Sequence, residues 1–290
     1  MDVVVVGSGL MGSQIAAEYA LGGHTVHCLA RRPEVTAART AEAFATALRL
    51  GLHDAAATSA AAARLTVVGE LAEIPACDLV VESIPEDLAL KGEVLTPVAA
   101  HFPAAVIASN TSSLSIGEIG EACAAPERTV GTHYWNPPLL MPLVEVVAGP
   151  RSTPQAVELA RGAVASCGKR PVLVQRDVPG FIWNRLQHAL LREALWIIDN
   201  GVATPEAVDE VVRFGNARRW EHVGPFAAAA LGGIDTWQRV AGELFPVLSN
   251  ADAAGDLGRG LWADEVALAR IAAERDAELA RDLRERAAEG

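Results

Sequence analysis

The stretch that decides the fold stands near the start of the sequence, where residues 2–12 are Asp-Val-Val-Val-Val-Gly-Ser-Gly-Leu-Met-Gly. The apolar run is typical of a parallel strand that is covered on both faces, and Ser13 to Leu21 then have a helical pattern. A strand, a turn of spaced glycines and a helix form a dinucleotide fingerprint, in which the helix N-terminus faces a pyrophosphate. We therefore predict cofactor contacts from the turn, at Gly7, Gly9, Leu10, Met11 and Gly12.

Each glycine of the turn has its own predicted use. Gly7 permits the tight turn, Gly9 lets the backbone approach a pyrophosphate, and Gly12 allows close packing of the helix. The alternative, a purely structural turn, stays open at this point.

The end of the second predicted strand, His24 to Leu29, bears on the choice of cofactor. NAD-binding proteins of this kind carry an acidic residue there, which holds the ribose 2'-hydroxyl. This sequence has Ala30, Arg31 and Arg32 instead, and guanidinium groups can bind a 2'-phosphate by paired hydrogen bonds. We therefore predict a preference for NADP, with NAD as the alternative. The alternative to phosphate binding is that both arginines are solvated surface charges beside Pro33.

Polar residues also follow two later predicted strands, at the edge of the sheet where parallel sheets bind ligands. Glu86 and Lys91 come after Leu79–Val81, and they either face the ligands or begin a helix. Asn110, which we predict to contact the cofactor, and a cluster of hydroxyls that includes Ser112 come after the strand that starts at Val106. Such hydroxyls either cap the next helix or bind a substrate oxygen.

The chemistry is predicted to depend on His133 and Glu145. Thr129 to His133 and Leu143 to Val147 have the pattern of short strands, and the prolines between them prevent a helix, so the chain must reverse. A carboxylate between apolar neighbours needs a partner, and His133 is the nearest candidate. A histidine held by a carboxylate can move a proton to or from an alcohol near neutral pH. The alternative is a structural pair that braces a loop.

Composition excludes several classes of protein. A net charge of -12 and a pI near 5.1 argue against nucleic acid as a partner. Four widely spaced cysteines predict neither disulfides nor a metal site. Because the sequence enters a strand at once and has no run of eighteen apolar residues, we expect no membrane association and a cytoplasmic location.

The predicted fold is α/β, with a Rossmann-type doubly wound sheet followed by an all-α domain. The proposed boundary divides a dinucleotide-binding domain, residues 1–178, from a helical domain, residues 179–290. Helices are predicted from Phe181 to Asn200, from Pro205 to about Phe214, twice between Pro225 and Phe245, and from Asp264 to Ala288. The helical domain either forms a homodimer contact or closes the substrate crevice.

Six motifs in one order resemble the 3-hydroxyacyl-CoA dehydrogenase family. They are the glycine turn, Val80-Val-Glu-Ser-Ile-Pro-Glu86, Ser109-Asn-Thr-Ser-Ser-Leu114, Gly131-Thr-His-Tyr-Trp-Asn-Pro137, Leu143-Val-Glu145 and Pro179-Gly-Phe-Ile-Trp-Asn-Arg185. The resemblance implies that His133 is the acid/base, that Glu145 is its partner, and that Ser112 and Asn184 bind the 3-oxygen. It also implies cofactor contacts from Glu86, Lys91 and Asn136, a homodimer, and hydride exchange between a 3-hydroxyacyl or 3-ketoacyl substrate and a nicotinamide.

Three features depart from that family pattern. The acidic residue after the second strand is missing. The segment Asn136 to Glu145 is similar to the branch that acts on free hydroxy acids, which includes gulonate and carnitine dehydrogenases and lambda-crystallin. Leu257 to Trp262 resembles the family's Gly-x-Gly-Phe-Tyr signature only loosely.

Three functions therefore remain open. The first is a 3-hydroxyacyl-CoA dehydrogenase, the second is the same chemistry on a free hydroxy acid or a polyketide-type ketone, and the third is a non-catalytic nucleotide-binding protein. Lys91 and Arg185 are candidates to bind either a CoA chain or a small carboxylate. Trp135 and Trp183, beside His133 and Asn184, are predicted to shape the substrate pocket.

Overall fold

A computed structural model describes residues 1–253 and 265–289 of the 290-residue chain. The segment Leu257 to Trp262 and the predicted helix start at Asp264 lie outside the described residues. Two compact units are distinguished: Met1–Ile182 together with Ile271–Gly290, and Trp183–Arg270. The domain boundary after residue 178 stays a prediction.

The first unit is built on an eight-stranded sheet. Its strands are β1 Asp2–Val6, β2 Thr25–Leu29, β3 Leu65–Val68, β4 Leu79–Glu82, β5 Val106–Ser109, β6 Thr129–His133, β7 Leu143–Ala148 and β8 Arg170–Val174. The spatial order is β3-β2-β1-β4-β5-β6-β7-β8, and β6 with β7 is the antiparallel pair. The prediction of a Rossmann-type sheet is thus confirmed, including the reversal between β6 and β7.

Helices cover both faces of this sheet. They are α1 Leu10–Leu21, α2 Pro33–Arg49, α3 Ala55–Ala62, α4 Leu88–His101, α5 Ile116–Ala122 and α6 Pro154–Ser166. One core cluster joins Val3, Val5 and Ile15, and another joins Val4, Val6 and Leu95. Because alternate residues of β1 enter different clusters, the strand is buried on both sides, as its unbroken apolar run predicts.

The second unit is helical, as predicted. It contains α7 Trp183–Asp199, α8 Pro205–Val211, α9 Ala217–Trp220, α10 Pro225–Leu231 and α11 Ile234–Leu244. The last helix, α12 Glu265–Glu289, begins in this unit, and from Ile271 onward it belongs to the first unit. The predicted break between α10 and α11 is present at Gly232-Gly233, where Gly233 has φ +89°. In contrast, α7 begins two residues after the predicted start, because Phe181 has the left-handed φ of +47° and cannot join the helix.

No helix in the described part of the chain is both long enough and apolar enough to cross a bilayer.

Candidate active site

The carboxyl ends of the parallel strands meet at one edge of the sheet. The register pairs Val6 of β1 with Leu29 of β2 and with Glu82 of β4, and it pairs Glu82 with Ser109 of β5. Ser109 is in turn opposite Gly131 of β6, two residues before His133. The glycine turn, the loops after β4 and β5, and the predicted acid/base therefore share this edge, which we call the ligand edge.

The glycine turn fits a dinucleotide. Gly7 has φ +94°, and a Cβ there would lie 2.5 Å from the carbonyl oxygen of Ser83. A Cβ on Gly12 would lie 1.8 Å from the carbonyl oxygen of Gly7, whereas a Cβ on Gly9 would meet nothing within 4 Å. Gly9 is also the N-cap of α1 and has no side-chain cap, so the first amides of α1 are free of a capping side chain.

Neighbouring side chains brace this turn. The hydroxyl oxygens of Ser8 and Thr36 are 2.5 Å apart, and Nη1 of Arg39 donates to the carbonyl oxygen of Ser8 at 2.9 Å. Leu10 is exposed and Met11 packs against the core. The sequence alone did not indicate Thr36 and Arg39, because α1 and β2 separate them from the turn.

Arg31 and Arg32 are both exposed and directly follow β2 and Ala30. Arg32 is the N-cap residue of α2, and the amide of Ala30 donates to the carbonyl oxygen of Val68 at 3.0 Å. The position that carries an acidic residue in NAD-type sites thus holds a buried alanine followed by two solvated guanidinium groups.

His133 and Glu145 form the contact expected of an acid/base pair. They are directly opposite each other in the β6–β7 ladder, and Nδ1 of His133 is 2.7 Å from Oε2 of Glu145. Both side chains are buried, with 4% of His133 and 1% of Glu145 exposed. Since Nδ1 faces the carboxylate, Nε2 is the ring nitrogen that remains for proton exchange with a ligand.

A turn before α7 completes the surroundings of this pair. Positive φ angles at Gly180 and Phe181 direct the backbone amide of Ile182 to Oε1 of Glu145, at 2.9 Å. The Phe181 ring meets the His133 ring edge-on, with the ring centroids 5.6 Å apart. Both oxygens of Glu145 therefore have a donor, and the ring of His133 is held on one side.

The residues predicted after β4 form a network around Glu86. Oε1 of Glu86 accepts the backbone amide of Ser112 at 2.8 Å, and Oε2 lies 3.4 Å from Nζ of Lys91. Burial favours the neutral acid, but the Thr111 hydroxyl, the loop amides and Lys91 outweigh it and lower the pKa of Glu86 to about 2. Lys91 itself is 1% exposed and is ion-paired with Glu82 at 2.6 Å. Sequence reasoning missed this partner.

The two predicted asparagines of the first unit differ in their surroundings. Oδ1 of Asn110 accepts the backbone amide of Tyr134 at 2.8 Å and so links the end of β5 to the residue after His133. Asn136 is exposed in the loop that follows β6. Their cofactor contacts stay predictions.

The remaining predicted site residues are divided between the units. Ser112 and Trp135 lie in the first unit, where Ser112 is exposed. Asn184 and Trp183 lie in the first turn of α7 in the second unit, where the carbonyl oxygen of Asn184 is 2.8 Å from Nδ1 of His188. The roles of all four stay predictions.

Family profiles match both parts of the chain. The profile of the NAD-binding domain of 3-hydroxyacyl-CoA dehydrogenase matches residues 2–178, and the profile of the C-terminal domain of that enzyme matches residues 180–261. The chain belongs to the 3-hydroxyacyl-CoA dehydrogenase family. The predicted family and the predicted class of enzyme, a nicotinamide-dependent oxidoreductase, are confirmed.

Two dehydrogenases are similar to the chain over most of its length. The 5-formyl-3-hydroxy-2-methylpyridine 4-carboxylate 5-dehydrogenase of Mesorhizobium japonicum is 34% identical over 258 residues, which are 87% of this chain and 82% of the relative. The L-carnitine dehydrogenase of Streptomyces griseus is 41% identical over 245 residues, which are 80% of this chain and 69% of the relative.

A solved structure resembles the chain over nearly its whole length. The crystal structure of a 5-formyl-3-hydroxy-2-methylpyridine 4-carboxylic acid 5-dehydrogenase, described as an NAD+ dependent dismutase, has a TM-score of 0.87 and 29% identity. The match covers 98% of this chain and 97% of that chain. The nucleotide domain of this family member is thus an NAD-binding domain, and the preference for NADP over NAD stays a prediction.

Proposed function

We propose that this protein interconverts a hydroxyl and a carbonyl group on a small free acid, with a nicotinamide dinucleotide as the redox partner. The observation that carries the proposal is the 2.7 Å contact between Nδ1 of His133 and Oε2 of Glu145. It lies at the ligand edge, which also carries the glycine turn. A buried imidazole held by a buried carboxylate suits proton transfer at an alcohol oxygen.

In the oxidation direction, Nε2 of His133 accepts the proton of the substrate hydroxyl while the carbon loses its hydride. The nicotinamide, when bound, supplies the acceptor for that hydride. Glu145 then faces an imidazolium, which its negative charge stabilises across the Nδ1 contact. The amide of Ile182 holds the other carboxylate oxygen, so Glu145 keeps its orientation as the charge on the ring changes. Reduction of a ketone reverses these steps.

Ser112 and Asn184 are proposed to bind the reacting oxygen, as the family motifs that contain them imply. A hydroxyl and an amide can both donate to an oxygen on which negative charge develops. We further propose that residues 1–178 hold the cofactor, with contacts from Gly9, Glu86, Asn110 and Asn136. The buried Lys91 is proposed to act there through its ion pair with Glu86. Residues 179–290 are proposed to supply the substrate cover and the dimer contact.

We propose NADP(H) as the preferred cofactor. Arg31 and Arg32 are exposed where a ribose 2'-phosphate would bind, and the neighbouring Ala30 removes the carboxylate that would repel it. One charge-assisted bond contributes roughly 1.5–3 kcal/mol, which corresponds to a preference of about tenfold or more.

Steady-state kinetics with both cofactors test this preference. The ratio of kcat/KM for NADPH to that for NADH should exceed unity and should fall in Arg31→Ala and Arg32→Ala. Arg161→Ala, which removes a partly buried arginine that is paired with Glu158 on α6, is the control. A wild-type preference for NADH would contradict the proposal.

Two observations favour a free acid over a thioester. The relatives described above are named for L-carnitine and for a pyridine carboxylate, neither of which carries coenzyme A. Lys91, one of two candidates to receive a CoA chain, is buried and ion-paired with Glu82, so its charge is already neutralised. The thioester remains the second candidate, because the profiles that match both parts of the chain are those of 3-hydroxyacyl-CoA dehydrogenase.

A substrate panel tests the proposed function. The purified protein would be assayed by nicotinamide absorbance with L-carnitine, L-gulonate, 3-hydroxybutyrate, a hydroxymethylpyridine carboxylate and 3-hydroxybutyryl-CoA, each with NAD and NADP. We expect turnover of at least one free acid. Turnover of the thioester alone would contradict the substrate class. Cofactor binding without any turnover would favour the non-catalytic alternative.

We also propose a homodimer, formed through the second unit. Among its described residues, 183–253 and 265–270, Ala228 alone is buried, and Phe226 is 91% exposed. Phe214, Leu231 and Phe245 are also more than two thirds exposed. An apolar surface of this extent is typical of a subunit interface, and a second copy is the simplest partner that covers it. Sedimentation velocity should give twice the mass of one chain, and a monomer that stays folded on dilution would contradict the proposal.

A cytoplasmic location is proposed as well. The four cysteines are free thiols, which persist in a reducing compartment.

A further inference from the structure

We propose that Glu86 is a positioning residue, which holds the loop Thr111–Ser113 so that the Ser112 hydroxyl faces the reacting oxygen. The inference rests on the role proposed above for Ser112. It goes beyond the cofactor contact predicted for Glu86, because it assigns this carboxylate to the geometry of the reaction.

One oxygen of Glu86 collects donors from three consecutive residues. Oε1 accepts the hydroxyl of Thr111 at 2.6 Å, the amide of Ser112 at 2.8 Å, the amide of Ser113 at 2.9 Å and the hydroxyl of Ser113 at 3.1 Å. Ser112 is the central residue of this set. Because the backbone on both sides of it is bonded to one atom, the position of that atom determines the direction in which the Ser112 side chain leaves the loop.

The position of Glu86 is itself fixed by a buried ion pair. Oε2 faces Nζ of Lys91 at 3.4 Å, and the same Nζ donates to Oε1 of Glu82 at 2.6 Å and to the carbonyl oxygen of Ile84 at 3.3 Å. Glu82 is fully buried at the end of β4, and its Oε2 accepts the hydroxyl of Ser109, at the end of β5, at 2.5 Å. A chain of charged contacts therefore connects the sheet to the loop that carries Ser112.

The charges of Glu82, Glu86 and Lys91 explain why the hydrogen-bond donors of the loop are needed. Glu82 and Glu86 supply two negative charges, and Lys91 supplies one positive charge. The excess negative charge is met by the hydroxyl and amide dipoles of the loop. The carboxylate of Glu86 therefore needs the loop in this conformation, and the loop in turn needs a charged acceptor rather than a neutral one.

A cofactor contact and a positioning role predict different measurements. Glu86 is 35% exposed and its Oε2 has only the longer contact with Lys91, so that oxygen can also accept a hydrogen bond from a bound nucleotide. Loss of a cofactor contact would raise the dissociation constant for the cofactor. Loss of the loop geometry would lower kcat at saturating cofactor.

A double-mutant cycle between Glu86→Gln and Ser112→Ala separates these roles. Glutamine keeps the shape of the side chain, but it is neutral. One of its two terminal groups is an NH2 donor, which must face either Lys91 or the donors of the loop. We expect Glu86→Gln to lower kcat at saturating cofactor roughly tenfold or more, as displaced catalytic groups do, in addition to any rise in the cofactor Kd from a lost contact. If Glu86 acts through Ser112, the double variant should lie within about threefold of Ser112→Ala alone.

Two outcomes would overturn the inference, and they are distinguishable. Multiplication of the two single losses would show that Glu86 acts independently of Ser112, which leaves the role of Ser112 intact. Wild-type kcat in Ser112→Ala would overturn the proposed role of Ser112 and the inference together.

Milder variants keep the test decisive if Glu86→Gln does not fold. Thr111→Val removes one donor to the same oxygen, at 2.6 Å, and should show the same lack of additivity with Ser112→Ala. Thr96→Val, on α4, removes a hydroxyl that donates to the carbonyl oxygen of Gly92 at 2.7 Å and that makes no contact with Glu86 or its loop. It is the matched control, with kcat expected within about threefold of wild type. Additive losses in the Thr111→Val cycle would likewise overturn the inference.

Discussion

Replacement of Glu145 by glutamine is the substitution with the most defined geometric consequence. The wild-type carboxylate accepts at both oxygens, from the backbone amide of Ile182 at 2.9 Å and from His133 at 2.7 Å. A backbone N–H can only donate, so the new side chain must turn its carbonyl oxygen to Ile182. Its NH2 group then faces Nδ1 of His133.

That orientation changes the proton on His133. Nδ1 must accept from the NH2 group, so the proton of the neutral ring moves to Nε2, which then has no lone pair for the substrate hydroxyl. The charge that stabilises the imidazolium is also lost, at roughly 1.5–3 kcal/mol for a charge-assisted bond. Since each 1.36 kcal/mol changes a rate tenfold, we expect kcat to fall by about a hundredfold or more when both effects act.

Stopped-flow and steady-state kinetics with a substrate from the panel measure this loss, alongside cofactor titration and urea unfolding. Cofactor affinity should stay within about twofold and stability within about 1 kcal/mol, because glutamine keeps the shape of the side chain and both of the contacts named above. Glu18→Gln is the matched control: Glu18 is a buried carboxylate on α1, and burial raises its pKa to about 7. This control should keep kcat within about threefold. A Glu145→Gln enzyme that retains more than about a third of wild-type kcat would refute the reasoning.

Three further predictions follow from other parts of the structure. Gly9→Ala should fold normally and lose cofactor affinity, because its Cβ enters open space at the ligand edge. Gly12→Ala should be strongly destabilised, because its Cβ would lie 1.8 Å from a carbonyl oxygen. Urea unfolding and cofactor titration check both variants, and equal stability of the two would contradict this account. The stability that Glu86 contributes should be present above pH 4.5 and lost as the pH falls toward 2, because its pKa is lower in the folded protein. The shift corresponds to at most about 3 kcal/mol, and solvent screening of a side chain that is 35% exposed reduces it to about 1 kcal/mol; an unfolding-energy difference from Glu86→Gln that is independent of pH would contradict it. Trp183→Ala should change the ranking of kcat/KM across the substrate panel, and an unchanged ranking in a variant with altered stability would show that this tryptophan serves folding alone.

The fold near the N-terminus could be predicted from the sequence because its determinants are local. A continuous apolar strand followed by glycines at fixed spacing predicts a strand, a tight turn and a helix. A Cβ on Gly7 or Gly12 would clash with backbone carbonyl oxygens, which gives the physical reason for the glycines. The approach of His133 and Glu145 was also predictable, because prolines force a reversal between two short strands. Antiparallel pairing then set the register.

Other features depend on contacts that no local pattern reveals. The left-handed backbone at Phe181, which brings the amide of Ile182 to Glu145, is unusual for a bulky residue and follows from its tertiary surroundings. The ion pair of Lys91 with Glu82 requires the turn between β4 and α4 to fold back over the end of the strand. In the sequence, a lysine after a strand is as consistent with a free surface charge as with a buried ion pair.

The central claim is that His133 exchanges the proton of the reaction. The most direct measurement is the rate of hydride transfer in a single turnover of His133→Gln at saturating cofactor, with cofactor affinity measured on the same preparation. The account predicts a fall of about 10²- to 10⁴-fold in that rate, as for the loss of a general acid/base, with affinity unchanged. A rate within about threefold of wild type would contradict it.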